Sequence, residues 1–161
     1  MAETVRYIGI DPGKTVGFAM FDSDGKPMNK GQMGWEMFIK TLASMSEYHK
    51  TSLNEPITFI VEDFKLLTHK ATAVARNTAS RSMEASQIIG AVRILCEIGD
   101  HKLVLQDTNA LHAGAAWAGV NLESQGHKNS HWKSAYAHVT YYIVQNKIRK
   151  VREIREDATS S

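Results

Sequence analysis

A chain of 161 residues can bury one substantial core but not two ordinary ones, so a single domain over 1–161 is expected. Apolar residues at 43% and charged ones at 22% fit a globular protein, and no continuous apolar run reaches bilayer length, so no membrane partner is expected. A net charge of +2 gives little whole-molecule attraction for a polyanion, so any nucleic-acid surface must be built from local basic clusters.

In chain order, the opening MAETVRYIGID lacks the basic and then apolar layout of a signal peptide, and the lone Cys96 has no internal disulfide partner. A reducing, cytoplasmic home is expected. YIGI reads as a buried strand, and GKTVGFAMFD as a turn and a second strand, which together make a hairpin. Asp24-Gly25 supplies the next turn, and a third strand around Lys30 to Met33 completes a meander. From Trp35 to Tyr48, apolar residues at Phe38, Leu42 and Met45 predict a helix over that sheet. ITFIVED is an apolar, β-branched run that predicts a central strand ending in two carboxylates. A basic stretch from Lys65 to Arg81 then leads into a helix with Ile88, Val92, Leu95 and Ile98 on its core face, stopped by Gly99. KLVLQ predicts a short strand, Asp107 to Trp117 a short helix, and Gly119 to Asn129 a polar connection. The last helix is expected from about Ser130 to beyond Asn146, with a charged tail from about 147 that ends in a frayed ATSS. A meander followed by alternating strands and helices indicates a mixed α/β sheet with helices on its faces and active groups at strand ends.

Asp11 stands where a buried strand meets the Pro12-Gly13 turn. Alone it reads as a turn cap. Glu62 and Asp63 close the ITFIV strand, where a first charged residue is ordinarily just the first solvated position. Two acids at the ends of neighbouring central strands repel each other unless a cation lies between them, and hard divalent ions favour oxygen ligands. The pair therefore points to magnesium or manganese.

On the last helix His131, Ser134 and His138 follow at three and four residues and share one face, beside an apolar stripe of Ala135, Val139 and Tyr142. This polar column borders the core, as a site requires. Read structurally, His131 and Ser134 are first-turn caps or solvated groups and His138 is a buried, hydrogen-bonded histidine. Gly13-Lys14-Thr15 lacks the earlier glycine and the following helix of a phosphate-binding loop.

The segment IGIDPGKTVGFAMF resembles the first motif of the RuvC-type Holliday junction resolvases of the RNase H-like superfamily. IVEDF resembles their second acidic motif, NTASRSMEASQIIGAVRILCE the long helix that follows, and KSAYAHVTYYI the last helix. The likeness runs over nearly the whole chain in the right order. It implies an RNase H-like, mixed five-stranded sheet flanked by helices, and a homodimer that cuts four-way DNA junctions with Mg2+ or Mn2+. It also implies Asp11, Glu62, His131 and Ser134 as the metal-ligand positions; beside them His138 reads as a further catalytic group that binds metal or shuttles a proton, and Asp63 as a carboxylate behind the ligands or a plain salt-bridge partner. Ser134 departs from the family pattern, which carries an acid there: a neutral hydroxyl has neither the charge nor the metal affinity of a carboxylate. Three outcomes follow: His138 compensates, water intervenes, or the site is crippled. Imidazole is a poorer ligand for magnesium than for manganese, so the histidines favour manganese or an acid–base role.

Lys14, Lys65, His69, Lys70, Arg76, Arg81, His112, Lys128 and Lys133 are the expected DNA contacts, gripping phosphates more than reading bases. The segment from Phe64 to Asn77 is the expected probe of the junction centre, and the helix from Ala73 onward the expected dimer interface. Rival readings are a flap or RNA–DNA hybrid nuclease on the same acidic cluster, and a junction-binding protein with a silent site. An actin-like nucleotide-binding domain shares the first motif but needs a second half that 161 residues do not accommodate.

Overall fold

The computed structural model describes residues 4–63, 74–122 and 131–159, with backbone alone for 74–82 and 151–159. Five strands, β1 (Tyr7–Asp11), β2 (Thr15–Phe21), β3 (Pro27–Gly34), β4 (Thr58–Glu62) and β5 (Lys102–Gln106), form one sheet in the order β3-β2-β1-β4-β5. The meander β1-β2-β3 is antiparallel, and β4 and β5 run parallel to β1. The four helices are α1 (Trp35–Tyr48), α2 (Val74–Gly99), α3 (Thr108–Ala118) and α4 (His131–Thr159), and a π-helical turn (His49–Leu53) extends α1.

Strand parity sorts the side chains into two cores. Ile8, Ile10, Val16, Phe18, Met20, Phe59 and Val61 project to one face, where Phe38 and Leu42 of α1 and Ile88, Val92 and Cys96 of α2 cover them. Their neighbours one residue along point the other way, so Ala19, Phe21 and Ile60 meet Ala135 and Val139 of α4. Leu111 and Ala115 of α3 then pack on Ala137 of α4. The result is a helix–sheet–helix sandwich, the mixed α/β architecture that the sequence predicts.

The hairpin turn is held by Asp22, whose carboxylate accepts from the backbone N–H groups of Asp24 and Lys26 at 2.9 and 2.8 Å. Asp107 caps α3, accepting from the N–H groups of Asn109 and Ala110. Two expectations need correction. The third strand is longer than Lys30 to Met33, spanning Pro27–Gly34. Ile98 is 60% exposed and not on the core face of α2. Six residues past Val92 is about 120° round a helix of 3.6 residues per turn, and the buried seam runs instead through Ala85, Ile88, Val92 and Cys96. The charged segment after 147 continues α4 helically to Thr159.

Candidate functional site

The same parity that builds the second core aims the polar strand ends at α4. In β1 the odd positions Tyr7, Gly9 and Asp11 face α4, and in β4 the even positions Thr58, Ile60 and Glu62 do so. The parallel register pairs Ile10 with Val61, so Asp11 and Glu62 leave adjacent strand ends side by side on one face. The row continues outward to Gly17, opposite Asp11 on β2, and to Gln106, opposite Glu62 on β5. Four residues from four neighbouring strands thus form a line across the carboxyl end of the parallel strands, where sites in such sheets gather.

Helix α4 crosses this line. Small residues let it approach: a Cβ on Gly9 would overlap the carbonyl of Ala135, and one on Gly17 would overlap that of His131. His131, in the first turn, therefore stands beside Asp11, and its Nδ1–H donates to Asp11 Oδ2 at 3.0 Å. His138, seven residues on, reaches the other end of the line. Its Nδ1 meets Gln106 Oε1 at 2.8 Å, and its Nε2 lies 3.7 Å from Glu62 Oε2. Ser134 lies between the two histidines on the same face and is buried.

The electrostatics of the pair are uneasy. Burial is the main cause that pushes the Asp11 carboxyl above its ordinary range, and the negative charge of Glu62 pushes the same way. The hydrogen bond from His131 pulls it back down. His131 is half exposed at its side chain (49%), whereas His138 is completely buried and its Nε2 has no hydrogen-bond partner among the described residues. Among the described residues no three His, Cys, Asp or Glu side chains converge as a ready ion cage. The arrangement is two acid–imidazole pairs, Asp11 with His131 and Glu62 with His138.

Of the residues expected to contact DNA, Lys14 is exposed three positions beyond Asp11, and His112 is exposed on α3. Lys133, two positions beyond His131, donates from Nζ to the Asn121 carbonyl at 3.2 Å. Lys65, His69, Lys70 and Lys128 lie outside the described residues, as does the segment 64–73; Arg76 and Arg81 lie on α2 where the backbone alone is described. Sequence reasoning missed Gln106. A glutamine closing a short strand reads as a first solvated residue, and only the register with Glu62 brings it into the site.

No protein-family model and no curated protein sequence matches the chain. Among solved structures the chain is similar to "T. thermophilus RuvC in complex with Holliday junction substrate", with a TM-score of 0.57 and 11% identity over 88% of this chain and 94% of that one. It is also similar to the "Thermus thermophilus RuvC structure", at 0.55 and 14% over 90% and 96%. The yeast mitochondrial Holliday junction resolvase Ydc2 matches at 0.55 and 11% over 98% and 85%. The chain thus has the RuvC-type, RNase H-like fold, a five-stranded mixed sheet between two helical layers.

Proposed function

We propose that this protein is a structure-selective endonuclease that resolves four-way or other branched DNA junctions by divalent-metal-dependent phosphodiester hydrolysis. The observation that carries the reading is the pair Asp11 and Glu62, two carboxylates at adjacent strand ends beneath α4, in a fold shared with a RuvC bound to a Holliday junction. A hard divalent ion suits this donor set, since magnesium is commonly held by one or two carboxylates and completes its shell with water and substrate phosphates. The burial and mutual repulsion that raise Asp11 are what a cation relieves. Asp11, Glu62 and the α4 residues His131 and Ser134 are the proposed ligand positions. When bound, magnesium or manganese supplies positive charge that acidifies water and neutralises the phosphate.

The chain's own groups then do the rest. Asp11 orients His131 through the Nδ1 bond, which leaves the Nε2 of the half-exposed ring for one of two roles, holding the metal or exchanging a proton with water or the leaving oxygen. Lys14, His112 and Lys133, with Lys65, His69, Lys70, Arg76, Arg81 and Lys128, position phosphates. Asp63 supports the ligands from behind.

Symmetric resolution of a junction needs two cuts related by a two-fold axis, so the reading includes a homodimer. Met83, Ile94 and Ile98 support it: all three are exposed, at 65%, 60% and 60%, and spacings of eleven and four keep them on one side of α2, away from its buried seam. The proposed setting is the cytoplasm of a bacterium or of a phage-infected host cell; among the described residues no helix is long and apolar enough to cross a membrane. A second reading, a junction-binding protein with an impaired site, is favoured by one observation, the neutral Ser134 at a position where the family resemblance implies an acid.

The test is a substrate panel of end-labelled four-way junction, flap, RNA–DNA hybrid and linear duplex, each with magnesium or manganese. Cutting confined to the junction supports resolution, cutting of flap or hybrid redirects the reading to those substrates, and tight junction binding without cutting supports the second reading.

A further inference from the structure

Among the described residues, His138 Nε2 is a buried polar atom at the strand ends with no hydrogen-bond partner. The ring is fully buried, and one nitrogen is spoken for: Nδ1 meets Gln106 Oε1 at 2.8 Å. An amide oxygen only accepts, so Nδ1 carries the proton, and in the neutral ring Nε2 is then a bare lone pair. That lone pair faces Glu62 Oε2 at 3.7 Å and has no hydrogen-bond partner among the described residues. With the ring neutral, a fully buried lone pair then faces a partly exposed carboxylate oxygen, an arrangement that a cation between them relieves.

We propose that His138 Nε2 and Glu62 Oε2 share one divalent cation, that Gln106 is the positioning residue that keeps His138 in its ligating tautomer, and that the site therefore prefers manganese to magnesium. This rests on the reading of Asp11 and Glu62 as a metal-binding pair. The separation suits it, because two atoms each about 2.1 Å from an ion can stand 3.7 Å apart. The position of Ser134 suits it too. The hydroxyl is buried one turn before His138 on the same helix face, so α4 offers a nitrogen one turn beyond the place where the family resemblance implies an acid. Nitrogen ligands move preference along the divalent series away from magnesium. Gln106 acts as the outer partner that fixes a ligating histidine's tautomer and ring orientation.

The test is made on the full chain without DNA. Long-range proton–nitrogen correlation spectra of the metal-free protein should show His138 protonated at Nδ1. Pulsed electron paramagnetic resonance of the Mn2+-loaded protein should show a histidine nitrogen coupling that survives His131→Ala and disappears in His138→Gln. Calorimetric Mn2+ affinity should fall about 10–100-fold in Gln106→Leu, a typical loss for an outer partner, with Mg2+ affinity far less changed. An Nε2–H tautomer in the unaltered protein, or a nitrogen coupling that depends only on His131, would overturn the proposal even if a variant failed to fold. Equal weakening of both metals would overturn it as well. Junction cutting with magnesium in a protein whose His138 never couples to Mn2+ sinks this inference alone, whereas coupling in a protein that cuts nothing sinks the nuclease reading alone.

Discussion

Gly17 lies directly beneath His131, so close that a Cβ on the glycine would overlap the histidine's carbonyl. The entry angle of α4, and with it the 3.0 Å bond from His131 to Asp11, depends on a missing side chain on β2. Gly17→Ala should push the start of α4 off the sheet, costing about 1–3 kcal/mol as other overpacking changes do. It should lower junction cutting more than tenfold in protein that circular dichroism shows to be folded. Urea unfolding together with cleavage rates checks this; unchanged cutting would mean that the contact does not set the site.

Burial, first, and the charge of Glu62 disfavour the charged form of Asp11 and raise its pKa, against the hydrogen bond from His131. A carboxylate whose native pKa is raised makes the fold less stable as pH rises through its ordinary value towards the raised one, because the native state binds the proton more tightly than the unfolded chain. The destabilisation is complete only above the raised native value. Asp11→Asn should therefore raise the metal-free melting temperature, by about 2–4 °C for each ~1 kcal/mol relieved, while abolishing metal-dependent cutting. Thermal scans with and without 5-fold-varied divalent metal read both halves: metal should stabilise the unaltered protein and leave the variant alone. A variant less stable than the parent without metal contradicts the electrostatic account.

Far from the site, His101 joins three elements. Its Nδ1 accepts from the Ile57 N–H at 3.2 Å, and its Nε2 meets Ser46 Oγ at 2.8 Å, so the neutral ring satisfies both partners. Burial is the main cause that holds His101 below the ordinary histidine range. As pH falls through about 6.5, the unfolded chain binds a proton that the folded ring resists, and stability falls; above that value the effect vanishes. Denaturant midpoints measured from pH 7.5 down to 5.5 should decline in the parent and decline less in His101→Asn. Parallel declines would show that other groups carry the acid sensitivity.

The outward side of α2 makes a separate prediction. Ile94→Glu puts a charge in the middle of the exposed stripe between Met83 and Ile98 while leaving the seam through Ile88 and Val92 untouched. Sedimentation should show a dimer turning into a folded monomer, with paired cutting lost and single nicks retained. A parent that is already monomeric at micromolar concentration would remove the homodimer from the account.

Much of this was legible in the sequence because it follows from period and punctuation. Asp11 before Pro12-Gly13 and Glu62 at the end of ITFIV announce two strand ends, and the spacing of His131 and His138 puts both on one helical face. What the sequence lacks is register. Nothing local says that Gln106 pairs across from Glu62, or that a ring 32 positions away will bond to it. Gly9 and Gly17 look like ordinary strand glycines until α4 is laid over them, since close approach belongs to the partner as much as to the residue. Ile98 is apolar and close to the end of α2, but its angle round the helix places it with Met83 and Ile94 and away from the core face.

The central claim is that this fold and its two acid–imidazole pairs resolve junctions. The most direct measurement uses a supercoiled plasmid that extrudes a cruciform, incubated with the protein and magnesium or manganese, with Asp11→Asn alongside. Conversion to linear product with cuts at symmetric positions on opposed strands, absent with Asp11→Asn and absent without metal, is the predicted result. A plasmid that remains supercoiled, or that is degraded without regard to the cruciform, would contradict it.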